Sequence, residues 1–251
     1  MTDLIITLSK VEKSFADGFS RRKIIHNLSL KIVKGEVFGF IGPNGAGKST
    51  LINLLMGFIT PDRGEIRIID APADIPRARQ NIGYLPEDPR FYGNLNAREL
   101  LLFGGLASGI KKADVKSGID PLLSRLELIH VKRRPIHTYS KGMKQRLGLA
   151  LAMIHDPDVY ILDEPMSGLD PIGRSLLKRI ILDLKERGKT IFFSTHILND
   201  VEVLCDRIGV IHQGNLLYCG DFKGLANTGH GFEDDFVHLI ETSSTPGNQN
   251  G

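Results

Sequence analysis

The chain has 251 residues, of which 41% are hydrophobic and 24% charged, and its formal net charge is +3. These values are ordinary for a soluble globular protein with a substantial core. A nucleic-acid-binding protein would concentrate more basic charge, so no nucleic-acid partner is expected. The two cysteines, Cys205 and Cys219, suggest neither a disulfide framework nor a metal site, which favours a reducing compartment. No signal peptide and no bilayer-spanning apolar run is recognisable.

The first third of the chain predicts β-structure followed by a strand–loop–helix unit. Residues 1–34 alternate apolar and polar positions around turn residues at 16–19, which is typical of antiparallel hairpins. Residues 35–58 read as a short apolar strand, a glycine-rich loop and a helix. Apolar residues then recur every three or four positions over 94–155, which predicts a helical insertion.

The glycine-rich loop carries the most specific local motif. Residues 42–49 read Gly-Pro-Asn-Gly-Ala-Gly-Lys-Ser and fit G-x-x-x-x-G-K-[ST], a pattern that cradles nucleotide phosphates. Glycines let backbone N–H groups turn toward an anion, Lys48 supplies a positive charge and Ser49 a hydroxyl for Mg²⁺. A chance match in a chain of this length is expected about once in a hundred sequences. The predicted phosphate contacts are Gly42, Pro43, Asn44, Gly45, Ala46, Gly47, Lys48, Ser49 and Thr50.

Two later apolar strands also end in polar residues. Asp163 and Glu164 follow 159–162, His196 follows 190–195, and a helix between these strands predicts parallel pairing. Alone, the acidic pair would usually be surface charge and the histidine a core residue. Because active groups gather at the carboxyl ends of parallel strands, their joint occurrence predicts catalysis. Asp163 would hold Mg²⁺, Glu164 would act as general base, and His196 would sense the γ-phosphate.

With these motifs in hand, the chain resembles the nucleotide-binding subunit of ATP-binding cassette (ABC) transporters over about residues 4–240. Residues 139–146, Tyr-Ser-Lys-Gly-Met-Lys-Gln-Arg, stand where that family has its signature sequence, usually Leu-Ser-Gly-Gly-Gln. Residues 161–165 match its second phosphate-site strand, 167–170 its D-loop, and 194–196 its switch histidine. The ordered set is most like the ABC-2 exporter-type branch.

The resemblance implies further site residues. Ser140 and Gly142 of the signature, together with Asp170 of the D-loop, would face the nucleotide of an opposite subunit, whereas Lys141 and Met143 depart from the usual signature. Glu87 stands where the family has a Mg²⁺-coordinating glutamine, so the implied metal ligands are Ser49, Asp163 and Glu87. Phe15 stands where an aromatic ring stacks on adenine; packing in the core is the alternative.

The predicted fold class is α/β: a mostly parallel phosphate-loop sheet with an antiparallel N-terminal β-subdomain and an inserted helical subdomain. One ATPase domain is expected over 1–241, with the β-subdomain and ATP-binding core at about 1–90 and 157–225. The helical subdomain is expected at about 91–156. Residues 242–251 are polar, with Pro and Gly, and predict a disordered tail.

The implied function is ATP binding and hydrolysis by the energising subunit of a transporter, with ATP and Mg²⁺ as cofactors. Its partners would be a separate integral membrane permease and a second nucleotide-binding subunit. The two nucleotide-binding subunits would form a homodimer at the cytoplasmic face of the membrane. Export is favoured because no large C-terminal regulatory domain is recognisable. The alternatives are a soluble ABC-type ATPase acting on ribosomes or DNA and a small-molecule kinase.

Residues 132–134, Lys-Arg-Arg, read as a solvated face or a docking rim.

Overall fold

The computed structural model describes residues 3–18, 20–225 and 231–244. Its strands are β1 (Leu4–Asp17), β2 (Ser20–Val33), β3 (Val37–Ile41), β4 (Arg63–Ile68), β5 (Ala71–Pro72), β6 (Ile82–Leu85), β7 (Val159–Leu162), β8 (Thr190–Thr195), β9 (Arg207–His212) and β10 (Asn215–Asp221). Its α-helices are α1 (Lys48–Leu55), α2 (Pro76–Arg79), α3 (Ala97–Ala107), α4 (Lys112–Arg125), α5 (Lys141–Met153), α6 (Pro171–Glu186), α7 (Leu198–Leu204), α8 (Phe222–Leu225) and α9 (Phe232–Ser244). The described residues cluster in two compact units, a first unit within Met1–Ala78 and Ser194–Gly251 and a second unit within Arg79–Phe193.

The first unit contains an antiparallel sheet with the strand order β2-β1-β4-β5. Leu8 of β1 pairs with Leu30 of β2 on one side and with Ile66 of β4 on the other, and all three are buried. The alternation of apolar and polar residues therefore places one face of this sheet in the core. The pair Asp17 and Ser20 closes the predicted hairpin, whose turn residue Phe19 lies outside the described residues.

The first unit also contains β3, which runs parallel to β9, while β9 pairs antiparallel with β10. All five residues of β3 are buried, as expected for a strand covered on both faces. Helix α9 packs Phe232 into the cluster around Ile41 and Val210. It continues to Ser244 and so includes 242–244 of the predicted tail; the rest of that tail lies outside the described residues.

The second unit has three parallel strands with β7 in the middle. Leu162 of β7 pairs with Leu85 of β6 and with Phe193 of β8, and all three side chains are buried. Helices α3, α4 and α5 pack on one another, and α5 also packs on β6. Parallel strands joined through helices, beside an antiparallel sheet and a helical segment, match the predicted α/β class.

The boundary of the second unit differs from the predicted subdomain boundary. This unit groups β6, β7 and α6 with the helices, whereas the sequence pattern assigns these elements to the ATP-binding core. Close packing between β6 and α5 contributes to this grouping: a β-carbon built on Gly148 would lie 2.6 Å from Cδ1 of Leu85. The 91–156 subdomain stays a prediction.

Candidate functional site

The loop between β3 and α1 has the backbone conformation that its glycines predict. Gly45 and Gly47 have φ values of 80° and 112°, which residues with a side chain rarely adopt. Gly42 allows a close approach, because a β-carbon built there would overlap the carbonyl oxygen of Ile211 in β9. The loop therefore needs glycine for two separate reasons, conformation and space.

Lys48 lies inside this loop. Only 6% of the residue is exposed, and its Nζ donates to the carbonyl oxygens of Gly42 at 2.7 Å and Pro43 at 3.3 Å. Ser49 and Asn44 are exposed, and Thr50 is half-buried. A small-residue loop with an enclosed ammonium group and a hydroxyl at the start of a helix suits a polyphosphate, so the residues present fit ATP.

Contacts that the sequence pattern does not reveal support the loop. The carbonyl oxygen of Ala46 accepts a hydrogen bond from Gly214 N at 2.9 Å, and His26 N donates to Gly214 O at 2.9 Å. A β-carbon built on Gly47 would lie 3.0 Å from Cδ1 of Ile25. The turn between β9 and β10 therefore links the phosphate loop to β2.

Phe15 is not a core residue, because 41% of it is exposed. It lies on β1 opposite Arg22, and Nζ of Lys13 lies 5.5 Å from the ring centroid. Two residues before Phe15 on the same strand, Lys13 pairs with Ile25 of β2, and Ile25 lies against Gly47 of the phosphate loop. The β1–β2 hairpin therefore places the Phe15 ring near the part of β2 that borders this loop. This position suits a stacking surface, and the adenine contact stays a prediction.

His196 is also exposed rather than part of the core. It directly follows β8, whose six residues are all buried. Ile197 N donates to Oγ1 of Thr195 at 3.0 Å, which holds the chain as it leaves the strand. The alternative of an ordinary core histidine is therefore wrong.

In the second unit, Asp163 and Glu164 follow the buried strand β7, and each is only 6% exposed. Asp163 N donates to the carbonyl oxygen of Leu85 at 2.8 Å, and Ser167 N donates to that of Glu164 at 2.9 Å. Glu164 has a φ of 45°, a left-handed conformation that is unusual for a residue other than glycine. Such strain concentrates at functional sites.

The carboxylate of Asp163 affects the titration of Tyr84 on the neighbouring strand β6. Burial, with a contribution from the Asp163 carboxylate, raises the pKa of Tyr84 to about 12. Glu87 is exposed in the segment after β6. Because β6 and β7 are parallel, Glu87 and the Asp163–Glu164 pair lie beyond the carboxyl ends of adjacent strands.

Carboxylates and hydroxyls are the oxygen ligands that Mg²⁺ accepts, and Mg²⁺ in nucleotide sites relies on one or two carboxylates, water and phosphate oxygens. In 3–18, 20–225 and 231–244, no group of three or more His, Cys, Asp or Glu side chains is arranged to hold a metal ion alone. The side-chain oxygen atoms of Ser49, Asp163 and Glu87 are of the type that Mg²⁺ accepts.

The signature and D-loop segments lie together in the second unit. Ser140 caps α5, and its Oγ accepts a hydrogen bond from Met143 N at 3.2 Å. A β-carbon built on Gly142 would lie 3.4 Å from Cδ2 of Leu169, and one built on Gly168 would lie 2.6 Å from Cδ and Cε of Lys141. The structure therefore brings the start of α5 against the D-loop.

Asp170 has a structural role that the motif did not predict. It is the N-cap of α6, and its Oδ1 accepts a hydrogen bond from Gly173 N at 2.7 Å. Asp followed by Pro at the first helical position is itself a helix-start signal, so the sequence contained this information. The predicted nucleotide contact of Asp170 stays a prediction.

An apolar groove of about 480 Å³ lies between the segment after β6 and the helices α3 and α5. Its wall includes Pro89, Leu100 and Leu151, and its rim carries Tyr92 and Phe103, which are 80% and 68% exposed. Glu87 is not among its lining residues. Exposed apolar surface of this kind marks an interaction site. Across the described part of the chain, every helix is too short or too polar to cross a bilayer.

Comparison with known sequences identifies relatives of the chain. Residues 25–167 match the family model described as ABC transporter. An uncharacterized ABC transporter ATP-binding protein of Synechocystis is 41% identical over 234 residues, 91% of this chain and 66% of that protein. The bacitracin transport ATP-binding protein BcrA of Bacillus licheniformis is 43% identical over 79% of this chain and 65% of its own length. The lantibiotic transport ATP-binding protein SrtF of Streptococcus pyogenes is 40% identical over 84% of this chain and 90% of its own length.

The chain thus spans about two thirds of the length of some relatives and nine tenths of another. Among solved structures, an ATP-binding subunit of an ABC transporter superimposes with a TM-score of 0.85 at 30% identity, covering 94% of this chain and 99% of that one. CbiO1 from Clostridium perfringens, part of the transporter complex cbiONQ, has a TM-score of 0.78 at 27% identity, covering 97% and 96%. These matches confirm the predicted resemblance, fold class and ABC-type ATPase class.

Proposed function

Because this chain belongs to the family of ABC transporter ATP-binding proteins, we propose that two copies bind ATP between them and hydrolyse it to drive a separate membrane permease. The observation that carries the proposal is the enclosed position of Lys48, whose Nζ lies 2.7 Å from the carbonyl oxygen of Gly42. An ammonium group held among small residues has the charge and the space to bind the β- and γ-phosphates of ATP.

Glu164 is the proposed general base. It is 6% exposed at the end of β7, and its left-handed backbone is a strain of the kind that concentrates at functional sites. A base positioned in this way contributes about 10²–10⁴-fold to the rate by taking a proton from the attacking water. His196, exposed beyond β8, is proposed to sense the γ-phosphate.

Asp163, Ser49 and Glu87 are the proposed Mg²⁺ ligands, and their oxygen atoms suit the ion. When bound, Mg²⁺ neutralises charge on the phosphate oxygens. Asp163 is the best supported of the three, because it is buried and directly follows β7.

The second copy would supply Ser140 and Gly142. The start of α5 presents N–H groups and the positive end of a helix dipole, which together attract a phosphate. Charged hydrogen bonds contribute about 1.5–3 kcal/mol each, so two or three at each of two sites give about 10 kcal/mol before desolvation. A micromolar-to-nanomolar dimer requires about 8–12 kcal/mol. Loss of the γ-phosphate would therefore remove interactions comparable in size to the whole binding free energy of the dimer, which favours opening.

The apolar groove between the segment after β6 and α3 is the proposed docking site for a cytoplasmic element of the permease. Its exposed Tyr92 and Phe103 are large side chains of the type that anchors interfaces. This docking would place the chain as a peripheral subunit at the cytoplasmic face of the membrane. BcrA and SrtF are transport proteins for bacitracin and lantibiotics, and their similarity supports export as the direction.

The central experiment replaces Glu164 by Gln, which keeps the shape of the side chain and removes its basicity. We expect MgATP binding to persist, turnover to fall by about 10²–10⁴-fold and an ATP-bound dimer to accumulate. Glu186→Gln, which changes an exposed glutamate at the end of α6, is the matched control and should hydrolyse ATP normally. Normal turnover in Glu164→Gln, or transfer of phosphate to an acceptor other than water, would contradict the proposal.

A further inference from the structure

A basic cleft on the helical part of the second unit lies outside the proposed ATP site. It has a volume of about 350 Å³ and includes Asn96 and Arg98 at the start of α3, Lys116 on α4, and Arg133. Leu102 and Ile119 form its apolar floor, and Glu99 is its one acidic lining residue. Arg133 belongs to the Lys-Arg-Arg run of residues 132–134, so one residue of this run lines a defined cleft.

Hydrogen bonds between three segments hold the cleft in shape. The carboxylate of Asp120 accepts from Nη1 of Arg98 at 2.5 Å and from Nζ of Lys132 at 2.7 Å. The Lys132 hydrogen bond and the nearby Arg98 charge lower the pKa of Asp120, so this carboxylate stays ionised and balances one of the two cations. Asn96 and Glu99 form a reciprocal capping box, which occupies the Glu99 carboxylate at Asn96 N.

Two cations of the cleft have no acidic partner among the residues that the structure describes. Lys116 and Arg133 are exposed, and within the described residues neither forms an ion pair or a side-chain hydrogen bond. The charges of Arg98 and Lys132 are balanced by those of Asp120 and Glu99. The remaining two cations give the cleft and its supporting residues a formal charge of +2. An uncompensated pair of cations, one of them an arginine, attracts a phosphate group.

The surrounding segment has the same charge bias. Residues 98–134 contain eight Lys and Arg against four Asp and Glu, a net charge of +4. The rest of the chain contains 24 Lys and Arg against 25 Asp and Glu, which is a net charge of −1. On the same helix α3, Leu106 is 43% exposed and is not a lining residue of the apolar groove. Basic residues next to exposed apolar side chains are the pattern of a surface that meets an anionic membrane.

We propose that this cleft binds the phosphate headgroup of an anionic phospholipid at the membrane surface beside the permease. The location rests in part on the proposed function, because the cleft and the apolar groove share α3, and a permease element in that groove would bring α3 close to the bilayer. Lys116 and Arg133 would contact the headgroup, and Asp120 would act as a positioning residue through Arg98 and Lys132.

The test measures co-sedimentation of the full chain with phosphatidylglycerol vesicles, without nucleotide and without permease. Replacing Lys116 and Arg133 together by Ala should weaken binding about 30-fold, since each basic residue near an anionic surface is worth about 1 kcal/mol. The matched control replaces Lys31 and Lys34, two exposed lysines in the first unit, and should bind as the unaltered chain does. Thermal unfolding of both double variants verifies their folding.

Four results would overturn the proposal. Equal binding to phosphatidylcholine vesicles, or unchanged binding by the Lys116/Arg133 variant, would remove the headgroup site. Calorimetric binding of inorganic phosphate without vesicle binding would identify a soluble phosphate ligand. Loss of permease co-purification in that variant, again without vesicle binding, would identify an acidic permease segment. Because no nucleotide is present, failure here is distinguishable from failure of the Glu164→Gln experiment.

Discussion

The α-carbon of Gly42 lies directly against the main chain of Ile211. A β-carbon at position 42 would overlap the Ile211 carbonyl oxygen and would lie 2.9 Å from its Cγ2 atom. Gly42 directly follows the last residue of β3, and Ile211 belongs to β9, the strand that runs parallel to β3. The first residue of the phosphate loop is therefore positioned by a strand that is about 170 residues away along the chain.

Gly42→Ala should reduce both stability and ATP binding. The added methyl group meets backbone, which cannot swing aside, so we expect a loss of about 1–3 kcal/mol in the free energy of unfolding. Urea denaturation and nucleotide titration measure the two effects.

Gly188→Ala is the matched control for that substitution. Gly188 has a φ of 75° with no atom within 4 Å of a built β-carbon, so it should lose about 1–2 kcal/mol from backbone strain alone and keep its ATP affinity. If Gly42→Ala binds ATP as well as this control does, the contact with Ile211 does not shape the loop.

Substitutions at Ser140 separate helix capping from the proposed contact across the dimer. Ser140→Ala removes the acceptor for Met143 N and should lose about 1 kcal/mol of stability together with ATP-driven dimerisation. Asn is an equally good cap, so Ser140→Asn should keep the stability and still lose dimerisation. Light scattering with MgATP measures the dimer, and a fully dimeric Ser140→Asn protein would place the signature outside the second ATP site.

The groove prediction depends on Phe103, which is 68% exposed on the groove rim. Phe103→Asp places a charge in the proposed interface and should abolish co-purification with the permease while basal ATP binding continues. Phe58→Asp alters a phenylalanine that is 58% exposed in the first unit and should leave co-purification intact. Equal retention of the permease by both variants would show that the groove is not the docking site.

His155 predicts a pH dependence of stability. Burial lowers the pKa of its imidazole, and one ring nitrogen lies 3.2 Å from the carbonyl oxygen of Ile82. A depressed pKa in the folded state means that the unfolded chain binds more protons as the pH falls below about 6.5, so stability falls with it. Denaturation from about pH 7.5 to about pH 5.5 should show this slope.

His155→Gln should flatten that slope, because an amide does not titrate and still donates to the Ile82 carbonyl oxygen. The exposed His130 gives the control: His130→Gln should keep the slope of the unaltered chain. An unchanged slope in His155→Gln would assign the acid sensitivity to other groups.

Local motifs explain why much of the candidate site was predictable. The phosphate loop and the acidic pair after β7 each depend on a few consecutive residues, whose conformation is set by glycine or by the end of a strand. The exposure of Phe15 and His196 was not predictable, because a single aromatic or imidazole side chain suits either a core or a surface. Only the neighbouring strands decide between these environments.

The amino-acid sequence by itself determined the family and the α/β class and predicted the nucleotide-binding residues, because all three depend on residue types in a fixed order. The tertiary structure alone decided that Gly214 and Ile25 support the phosphate loop and that the predicted D-loop segment lies against α5. It also decided that Arg98, Lys116 and Arg133 line one cleft. These contacts join segments far apart in the chain, and their geometry is set by strand register and helix packing rather than by local spacing.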